Sequence, residues 1–153
     1  MKKIGITGQN GFVGSYLFNR CSLLKETFTL IPFNKSFLES TDSLEAWVAQ
    51  CDVIVHLAAM NRHPDQQVIH DTNLELVQRL VSALENTGNR PHVIFSSSTQ
   101  EERDNLYGRS KRAGRELLKE WAAASGACFT GMVIPNVFGP FGKPFYNSVV
   151  ATF

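Results

Sequence analysis

The sequence predicts an α/β fold in which helices cover both faces of a doubly wound parallel sheet. Five short β-type runs, at 3–7, 28–33, 53–58, 92–97 and 128–134, alternate with segments of helical periodicity. The third and fourth runs are apolar almost throughout, as expected of strands buried on both faces. A glycine-rich loop follows the first run directly and marks a sharp turn into a helix. Together these patterns indicate a Rossmann-like domain.

One domain accounts for the chain. Its 153 residues, 43% of them apolar, suffice for one compact core and are too few for two ordinary domains. The 15 basic and 14 acidic residues nearly cancel, so no overall field attracts nucleic acid or an anionic membrane. The longest apolar run, at 53–60, is far shorter than the ~20 residues that a membrane-spanning helix needs. We therefore expect neither nucleic acid nor a membrane as a partner.

The cysteines and the N-terminus favour a cytoplasmic location. Cys21, Cys51 and Cys128 are odd in number and widely spaced, which suits reduced thiols better than disulfides or a metal site. Lys2 and Lys3 could open a signal peptide, but the apolar segment behind them is soon broken by a glycine-containing polar stretch. Secretion is therefore not expected.

The first helix is predicted after the glycine loop, because apolar residues recur at helical spacing from Phe12 to Leu24. A weak third strand is expected around 36–38, which gives the strand order 3-2-1-4-5. Asp42 and Glu45 resemble a capping box that opens a short second helix.

Two longer helices are predicted in the second half. Thr72 and Glu75 bracket the start of one, whose apolar stripe ends at Gly88. The last full helix is predicted over 106–125, with Gly126 as its stop. Beyond the fifth strand the segment at 147–153 begins a helical pattern that is not completed. We therefore expect the chain to be the N-terminal part of a longer one.

The loop after the first strand has the glycine pattern of a phosphate-binding turn. Gly8 allows the strand to turn sharply, Gly11 lets a pyrophosphate approach the backbone, and Gly14 lets helix and strand pack closely. The helix that begins near Phe12 and Val13 offers free N–H groups and the positive end of its dipole to phosphates. This arrangement predicts nucleotide binding.

The residues after the second strand bear on the choice of cofactor. An acid there would bind the ribose 2′-hydroxyl of NAD and repel the additional phosphate of NADP. Here the strand is followed by Asn34 and Lys35, and no acid occurs before Glu39. Lys35 can offset a 2′-phosphate and Asn34 can donate to it. The sequence therefore favours NADP(H), with a solvated surface lysine as the alternative explanation.

A tyrosine and a lysine are placed for proton transfer. Tyr107 and Lys111 are four residues apart, hence one turn apart on the same helix face. A neighbouring cation favours the phenolate form of a tyrosine. The run Ser96, Ser97 and Ser98 ends the preceding buried strand, at the sheet edge where ligands bind in this fold class.

The other polar groups are given mainly structural roles. His56, in mid-strand, is expected to be a satisfied core residue, and no histidine has partners at metal-ligand spacing, so no metal site is predicted. Arg115 and its neighbouring arginines, interleaved with Glu101, are expected to form a solvated helix face. Arg62 lies in the loop after the third long strand and is a candidate to bind a substrate diphosphate.

The glycines at 8, 11 and 14, with Leu57, Ala58 and Ala59 at the end of a buried strand, resemble the extended, nucleotide-sugar branch of the short-chain dehydrogenase/reductase superfamily. Four further segments resemble the CapF/WbjC family of capsular polysaccharide enzymes within it: HLAAMNR at 56–62, SSS at 96–98, PNVFG at 135–139 and KPFYNSVVATF at 143–153. The short separation of nine positions from Ser98 to Tyr107 adds to this resemblance.

This resemblance implies site residues. Tyr107 would be the proton donor to a carbonyl, Lys111 its tuner and the anchor of the nicotinamide ribose, and Ser98 the hydroxyl that polarises the carbonyl, with Ser97 and Thr99 as competitors. Asn73 matches an asparagine that helps to hold the lysine, although helix capping explains it nearly as well. Further cofactor contacts are expected from the segments already quoted, at Leu57, Ala58, Ala59, Ser96, Pro135 and Asn136.

The resemblance further implies an NADPH-dependent reductase of a UDP-linked 4-keto-6-deoxy-hexosamine, on the route to UDP-N-acetyl-L-fucosamine. A C-terminal cupin domain follows in that family and is absent from this sequence. The substrate is expected beside Arg62, Asn136 and Asn147, with Arg62 at the diphosphate. Two helices, predicted to begin near Thr72 and Leu106, resemble those that form a homodimer in relatives. An NAD-dependent epimerase or dehydratase, a non-catalytic nucleotide-sensing module and an inactive fragment are the alternatives.

Overall fold

The computed structural model describes residues 1–140 and residue 142, and it confirms the predicted parallel sheet with flanking helices. The elements follow in the order β1 (Lys2–Thr7), α1 (Phe12–Ser22), β2 (Phe28–Ile31), α2 (Thr41–Val48), β3 (Val53–His56), α3 (Gln66–Thr87), β4 (His92–Ser98), α4 (Leu106–Ser125) and β5 (Phe129–Ile134). Short 3-10 helices, Lys35–Glu39 and Thr99–Glu102, precede α2 and α4.

All five strands are parallel, in the spatial order β2-β1-β3-β4-β5. The predicted weak strand at 36–38 is wrong, because this stretch belongs to the first 3-10 helix. The Asn34 side chain accepts a hydrogen bond from Ser36 N at 3.0 Å, and this local bond closes a turn in place of a ladder. Without this strand, the predicted order becomes β2-β1-β3-β4 in the numbering used here, and the structure confirms it. Strand β5 lies outside β4.

Two helix starts differ from the prediction. Helix α3 begins at Gln66, before Thr72, because the Asp65 carboxylate accepts from Gln67 N at 2.8 Å and caps it there. Helix α2 is capped by Ser40, not by a box formed from Asp42 and Glu45. The predicted helix ends are confirmed, since the C-caps of α3 and α4 are glycines in the left-handed conformation.

The core lies on both faces of the sheet. Alternate residues point to opposite faces, so Ile4, Ile6 and Val55 pack with α1 while Ile54 packs on the other side. The larger cluster, between the sheet and helices α2, α3 and α4, is built on Trp47, Val48, Ile54, Val77, Leu80, Leu84, Val93, Phe95, Leu118 and Trp121. Among the described residues no helix is long and apolar enough to span a membrane. The packing leaves the carboxyl ends of β1, β3, β4 and β5 together at one edge.

Candidate active site

Two glycines at the loop between β1 and α1 stand where a side chain would collide with the backbone. Gly8 has a φ of +72°, and a Cβ placed on it would lie 2.8 Å from Ala58 N. A Cβ on Gly14 would lie 2.1 Å from the carbonyl oxygen of Gly8. Gly11 N donates to that same carbonyl at 2.9 Å. The loop therefore turns tightly and holds its backbone against the end of β3.

The N-terminus of α1 faces this loop with its first-turn N–H groups uncapped by a side chain. Gly11 is the N-cap residue and makes no side-chain cap, and no acidic residue occupies the first turn. The N–H groups of Phe12 and Val13 belong to that first turn, where intrahelical acceptors are missing. An anion is the natural partner of such a helix end beside a bare glycine backbone.

A hydroxyl at the end of β1 organises the end of β3. The N–H groups of Leu57 and Ala58 both donate to Thr7 Oγ1 at 3.2 Å, so the Thr7 proton is directed to His56 Nδ1, 2.9 Å away. Burial, with Lys111 nearby, lowers the pKa of His56 to about 3. The ring is therefore neutral, with its proton on Nε2. Among the described residues this buried Nε2 has no hydrogen-bond partner, so the predicted satisfied core histidine is satisfied at one nitrogen.

The residues after β2 lie beside the glycine loop. Gln9 Nε2 donates to Phe33 O at 3.0 Å and ties the loop to this segment. The Asn34 Oδ1 atom accepts from Ser36, so the amide nitrogen of Asn34 is the part able to donate to a ligand. Lys35 is exposed in the first turn of the 3-10 helix.

The three serines of β4 have separate roles, because neighbouring side chains on a strand point to opposite faces. Ser97 is buried and its hydroxyl donates to the Glu101 carboxylate. Ser98 Oγ accepts from Gln100 N at 3.2 Å, which leaves its proton for another acceptor. Ser96 and Ser98 share the other face. Ser97 is thus committed elsewhere and is removed as a competitor of Ser98.

Tyr107 and Lys111 lie on the first two turns of α4, next to the end of β4. Asn105 Oδ1 caps this helix by accepting from Gly108 N at 2.7 Å. Lys111 is only 4% exposed, and its Nζ donates to Ser96 O at 3.0 Å and lies 5.9 Å from the Tyr107 ring centroid. Burial lowers the pKa of Lys111 to about 8, against the opposing effect of Glu101. The lysine is therefore mostly cationic near pH 7 and buried beside the phenol.

Asn73 is buried in the third turn of α3, so the capping interpretation is excluded. Its amide accepts from Met60 N at 2.7 Å and donates to Met60 O at 3.0 Å and to Ser110 Oγ at 3.3 Å. These bonds fasten the loop after β3 to the residue that precedes Lys111. Asn73 thus lies in the interior of α3 and bonds to the neighbour of Lys111 in sequence.

Glu101 and Arg115 are the site residues that sequence reasoning missed, because it assigned them to a solvated face. The Glu101 side chain is 8% exposed, and Arg115 donates to both of its oxygens, through Nε at 2.9 and 3.0 Å and Nη2 at 2.8 Å. The two residues are separated by 14 in sequence, which corresponds to no contact within a single helix or strand. Only the tertiary packing of the second 3-10 helix on α4 brings them together.

The remaining predicted residues lie at or near the same edge. Pro135 and Asn136 are exposed directly after β5. Arg62 lines an open cavity of about 370 Å³ in the loop before α3, with Asn61, His63, Pro64 and Gln66. Asn147 lies outside the described residues. Within the described part of the chain, no group of three or more metal-ligating side chains is present.

Comparison with known proteins finds a nucleotide-sugar reductase among the relatives of this chain. It is 37% identical over 153 residues to a UDP-2-acetamido-2,6-beta-L-arabino-hexul-4-ose reductase of Pseudomonas aeruginosa strain PA103, covering 99% of this chain and 40% of that protein. The crystal structure of the capsular polysaccharide assembling protein CapF from Staphylococcus aureus matches at 32% identity and a TM-score of 0.74, over 98% of this chain and 38% of that one.

A further structural neighbour supports the fold. RMD from Pseudomonas aeruginosa, solved in complex with NADPH, matches with a TM-score of 0.80 at 24% identity, over 94% of this chain and 56% of that one. Of the Pseudomonas aeruginosa UDP-sugar reductase named above, this chain spans about two fifths of the length. The model of the NAD dependent epimerase/dehydratase family matches residues 4–153. With its glycine loop and its parallel sheet, the chain therefore belongs to the NAD dependent epimerase/dehydratase family.

Proposed function

We propose that residues 1–153 form the NADP(H)-binding, Rossmann-like part of an oxidoreductase of the short-chain dehydrogenase/reductase type. Its reaction would be the NADPH-dependent reduction of a UDP-linked 4-keto-6-deoxy-hexosamine during synthesis of a surface polysaccharide precursor, UDP-N-acetyl-L-fucosamine. The observation that carries this proposal is that buried Lys111 donates to Ser96 O, two residues before Ser98 at the end of β4, and lies 5.9 Å from the Tyr107 ring centroid. The glycine loop lies at the same edge of the sheet. The name of the 37% identical relative supports the substrate class.

The residues present fit a dinucleotide. A side chain on Gly8 or Gly14 would collide with the backbone, so the loop is kept bare where a pyrophosphate would approach, and the uncapped start of α1 supplies N–H donors. Backbone groups of Phe12, Val13, Leu57, Ala58, Ala59, Ser96 and Pro135 would complete the binding surface. When bound, NADPH supplies the hydride. The NADPH of the RMD complex agrees with this choice.

In this proposal NADP(H) is preferred over NAD(H), because β2 is followed by a lysine and an amide and not by a carboxylate. Lys35 is exposed there and would pair with a 2′-phosphate, and the Asn34 amide nitrogen would donate to it. The nearest following acid, Glu39, lies at the far end of the 3-10 helix.

The chemistry assigned to this chain is the transfer of one proton. Tyr107 holds the proton that is delivered to the oxygen of the keto group, and the Ser98 hydroxyl, free to donate, polarises the carbonyl. Lys111 lies one turn away as a buried cation, which stabilises the phenolate that remains after transfer. Asn73 keeps Lys111 in place through Ser110.

The sugar nucleotide is assigned to the open side of the same edge. Arg62 would contact the diphosphate from the cavity before α3, and Asn136 and Asn147 would contact the sugar. We further propose that the protein works in the cytoplasm. We also propose that it forms a homodimer through α3 and α4, and the molar mass measured by light scattering tests this oligomeric state.

Cofactor titration is the first test. Quenching of nicotinamide fluorescence is expected to give a tighter Kd for NADPH than for NADH. A clear preference for NADH would contradict the use of Lys35 and favour an NAD-dependent epimerase or dehydratase. Oxidation of NADPH in the presence of the UDP-keto sugar then tests the reductase reaction.

The second test removes the proton donor from the intact enzyme. Tyr107→Phe is expected to abolish turnover while the Kd for NADPH is retained, because the aromatic ring stays in place and only the hydroxyl is lost. Lys25→Ala, on the exposed surface after α1, is a control that should keep full turnover. Turnover retained in Tyr107→Phe would remove this tyrosine from the mechanism.

A further inference from the structure

The connection between Ser98 and Tyr107 is short and is fixed by a buried acid. Within it, the 3-10 helix Thr99–Glu102 turns the Glu101 side chain inward to 8% exposure. The Glu101 carboxylate accepts from the Ser97 hydroxyl and from both Nε and Nη2 of Arg115. One side chain thus joins the end of β4, the connection itself and the third turn of the helix that carries Tyr107.

Two glycines make room for this contact. A Cβ on Gly131 of β5 would lie 2.8 Å from Arg115 Cδ, so a glycine there lets the arginine cross the strand toward Glu101. A Cβ on Gly108 of α4 would lie 2.0 Å from Gln100 O, so the 3-10 helix packs directly on the start of α4. The first approach gives Arg115 its place beside β5, and the second holds the Ser98–Tyr107 connection against the helix that carries Tyr107.

The same carboxylate lies near the buried cation of the site. Glu101 is hydrogen-bonded to Ser97, and Lys111 Nζ to the carbonyl of Ser96, so the two charges are anchored on adjacent residues of β4. Lys111 and Arg115 are separated by one turn of α4 and both approach this strand end. A carboxylate held at this point offsets the cost of keeping Lys111 charged in a buried place.

We propose that Glu101 is a positioning residue of this site, holding the Ser98–Tyr107 connection in place and serving as the counter-charge that keeps Lys111 protonated. Its catalytic meaning rests on the function proposed above. Two titratable groups besides Glu101 of the 3-10 helix face Lys111, namely His56 from β3 and Tyr107 from α4. Arg112 and Arg115 of α4 act on Glu101. His56 is neutral near pH 7, since burial and Lys111 lower its pKa to about 3.

The test measures the titration of Lys111 directly in the whole chain, without cofactor or sugar. The side-chain carbon next to Nζ is followed by NMR in lysine-labelled protein, and the signal is assigned with Lys111→Arg. In Glu101→Gln the titration midpoint is expected to fall by on the order of 0.5 to 1 pH unit, because an opposing charge is lost while burial remains. Glu102→Gln, which removes an exposed acid from the same 3-10 helix, should leave the midpoint unchanged.

The direction of the change separates this role from a structural one. If Glu101 served only to hold the fold, its loss would admit water and raise the Lys111 midpoint toward its ordinary value, or leave it unchanged; either result overturns the proposal. Glu101→Asp provides a second variant, which keeps the negative charge, so its Lys111 midpoint should stay closer to that of the unmodified chain than the midpoint of Glu101→Gln does. A midpoint as low in Glu101→Asp as in Glu101→Gln would also contradict the proposal.

A kinetic measurement links the proposal to catalysis. In the reductase assay, the alkaline limb of the kcat profile of Glu101→Gln should move down by the same amount as the Lys111 midpoint, with little change in KM for NADPH. Failure of NADPH to bind the unmodified chain would instead contradict the proposed function, and the NMR midpoints would still decide the role of Glu101.

Discussion

The glycine loop and the serine–tyrosine–lysine region lie at the same sheet edge but are built in opposite ways. The first is a single stretch, residues 8–14, that works through its backbone and depends on missing side chains. The second is assembled from β4, the second 3-10 helix, α3 and α4, and depends on side-chain bonds between residues distant in sequence. A backbone site is thus fixed by local sequence, whereas a side-chain site needs the completed fold.

The largest expected effect comes from breaking the backbone site. Gly14→Ala places a Cβ 2.1 Å from the carbonyl oxygen of Gly8, and the cost of moving this backbone is expected to be about 3 kcal/mol in the free energy of unfolding. Urea unfolding measures it. Gly126→Ala is the matched control, since its φ is +75° but no atom lies within 4 Å of the added Cβ, so strain of only about 1 kcal/mol is expected. Equal losses in both variants would show that close packing at Gly14 is unimportant.

The side-chain site should respond next most strongly at Asn73. Asn73→Ala leaves the half-buried N–H and C=O of Met60 without their partner, which is expected to cost about 2 kcal/mol of stability. Chemical denaturation is again the measurement, with Asn19→Ala on the exposed face of α1 as a control that stays within about 0.5 kcal/mol. A loss of unfolding free energy no larger than that of the control would show that the bonds between Asn73 and Met60 contribute little to the fold around Lys111.

His56 joins the two regions, because it bonds to Thr7 before the glycine loop and stacks on Phe95 of β4. Burial and Lys111 lower its pKa to about 3 in the folded chain, whereas the unfolded chain takes up the proton near 6.5. Stability contributed by the neutral ring is therefore present above pH 6.5 and is lost as the pH falls toward 3, by about 1.4 kcal/mol for each pH unit.

Unfolding free energies measured between pH 7 and pH 4 test this dependence. His56→Gln should reduce the slope by up to one proton, while exposed His63→Gln should leave the steep slope in place. An unchanged slope in His56→Gln would mean that other groups cause the acid sensitivity.

The smallest expected effect concerns the exposed part of the cofactor site. Lys35→Ala should weaken NADPH binding about fivefold and leave NADH binding unchanged, because a solvent-exposed ion pair contributes roughly 1 kcal/mol. Fluorescence titration with both cofactors measures it, and Lys25→Ala is the control for loss of a surface cation. Equal weakening of both cofactors would contradict a contact between Lys35 and the 2′-phosphate.

The fold was largely predictable because its signals are periodic and local. The five runs, the helix stops at Gly88 and Gly126 and the turn at Gly8 each follow from short-range patterns that the structure confirms. The weak strand predicted at 36–38 is absent from the structure, because the Asn34 side chain accepts a local hydrogen bond from Ser36 N and starts a 3-10 helix there.

The site was predictable only in part. The Tyr107–Lys111 spacing sets both on one helix face, and the end of β4 was correctly placed beside them. The Thr7–His56 bond and the Glu101–Arg115 pair join residues 49 and 14 positions apart, so no local period indicates them. The role of Asn73 likewise depends on Met60, thirteen residues away in a loop of irregular structure.

The room that Gly131 leaves for Arg115 has a consequence for how this chain tolerates variation. Residue 131 is solvent-exposed on β5, at the edge of the sheet that the described residues form, where most replacements are accepted. In a saturation library it should nevertheless be among the least tolerant positions of β5. Alanine or larger residues should become acceptable there once the arginine has been shortened. The two positions should therefore change together among descendants of this sequence.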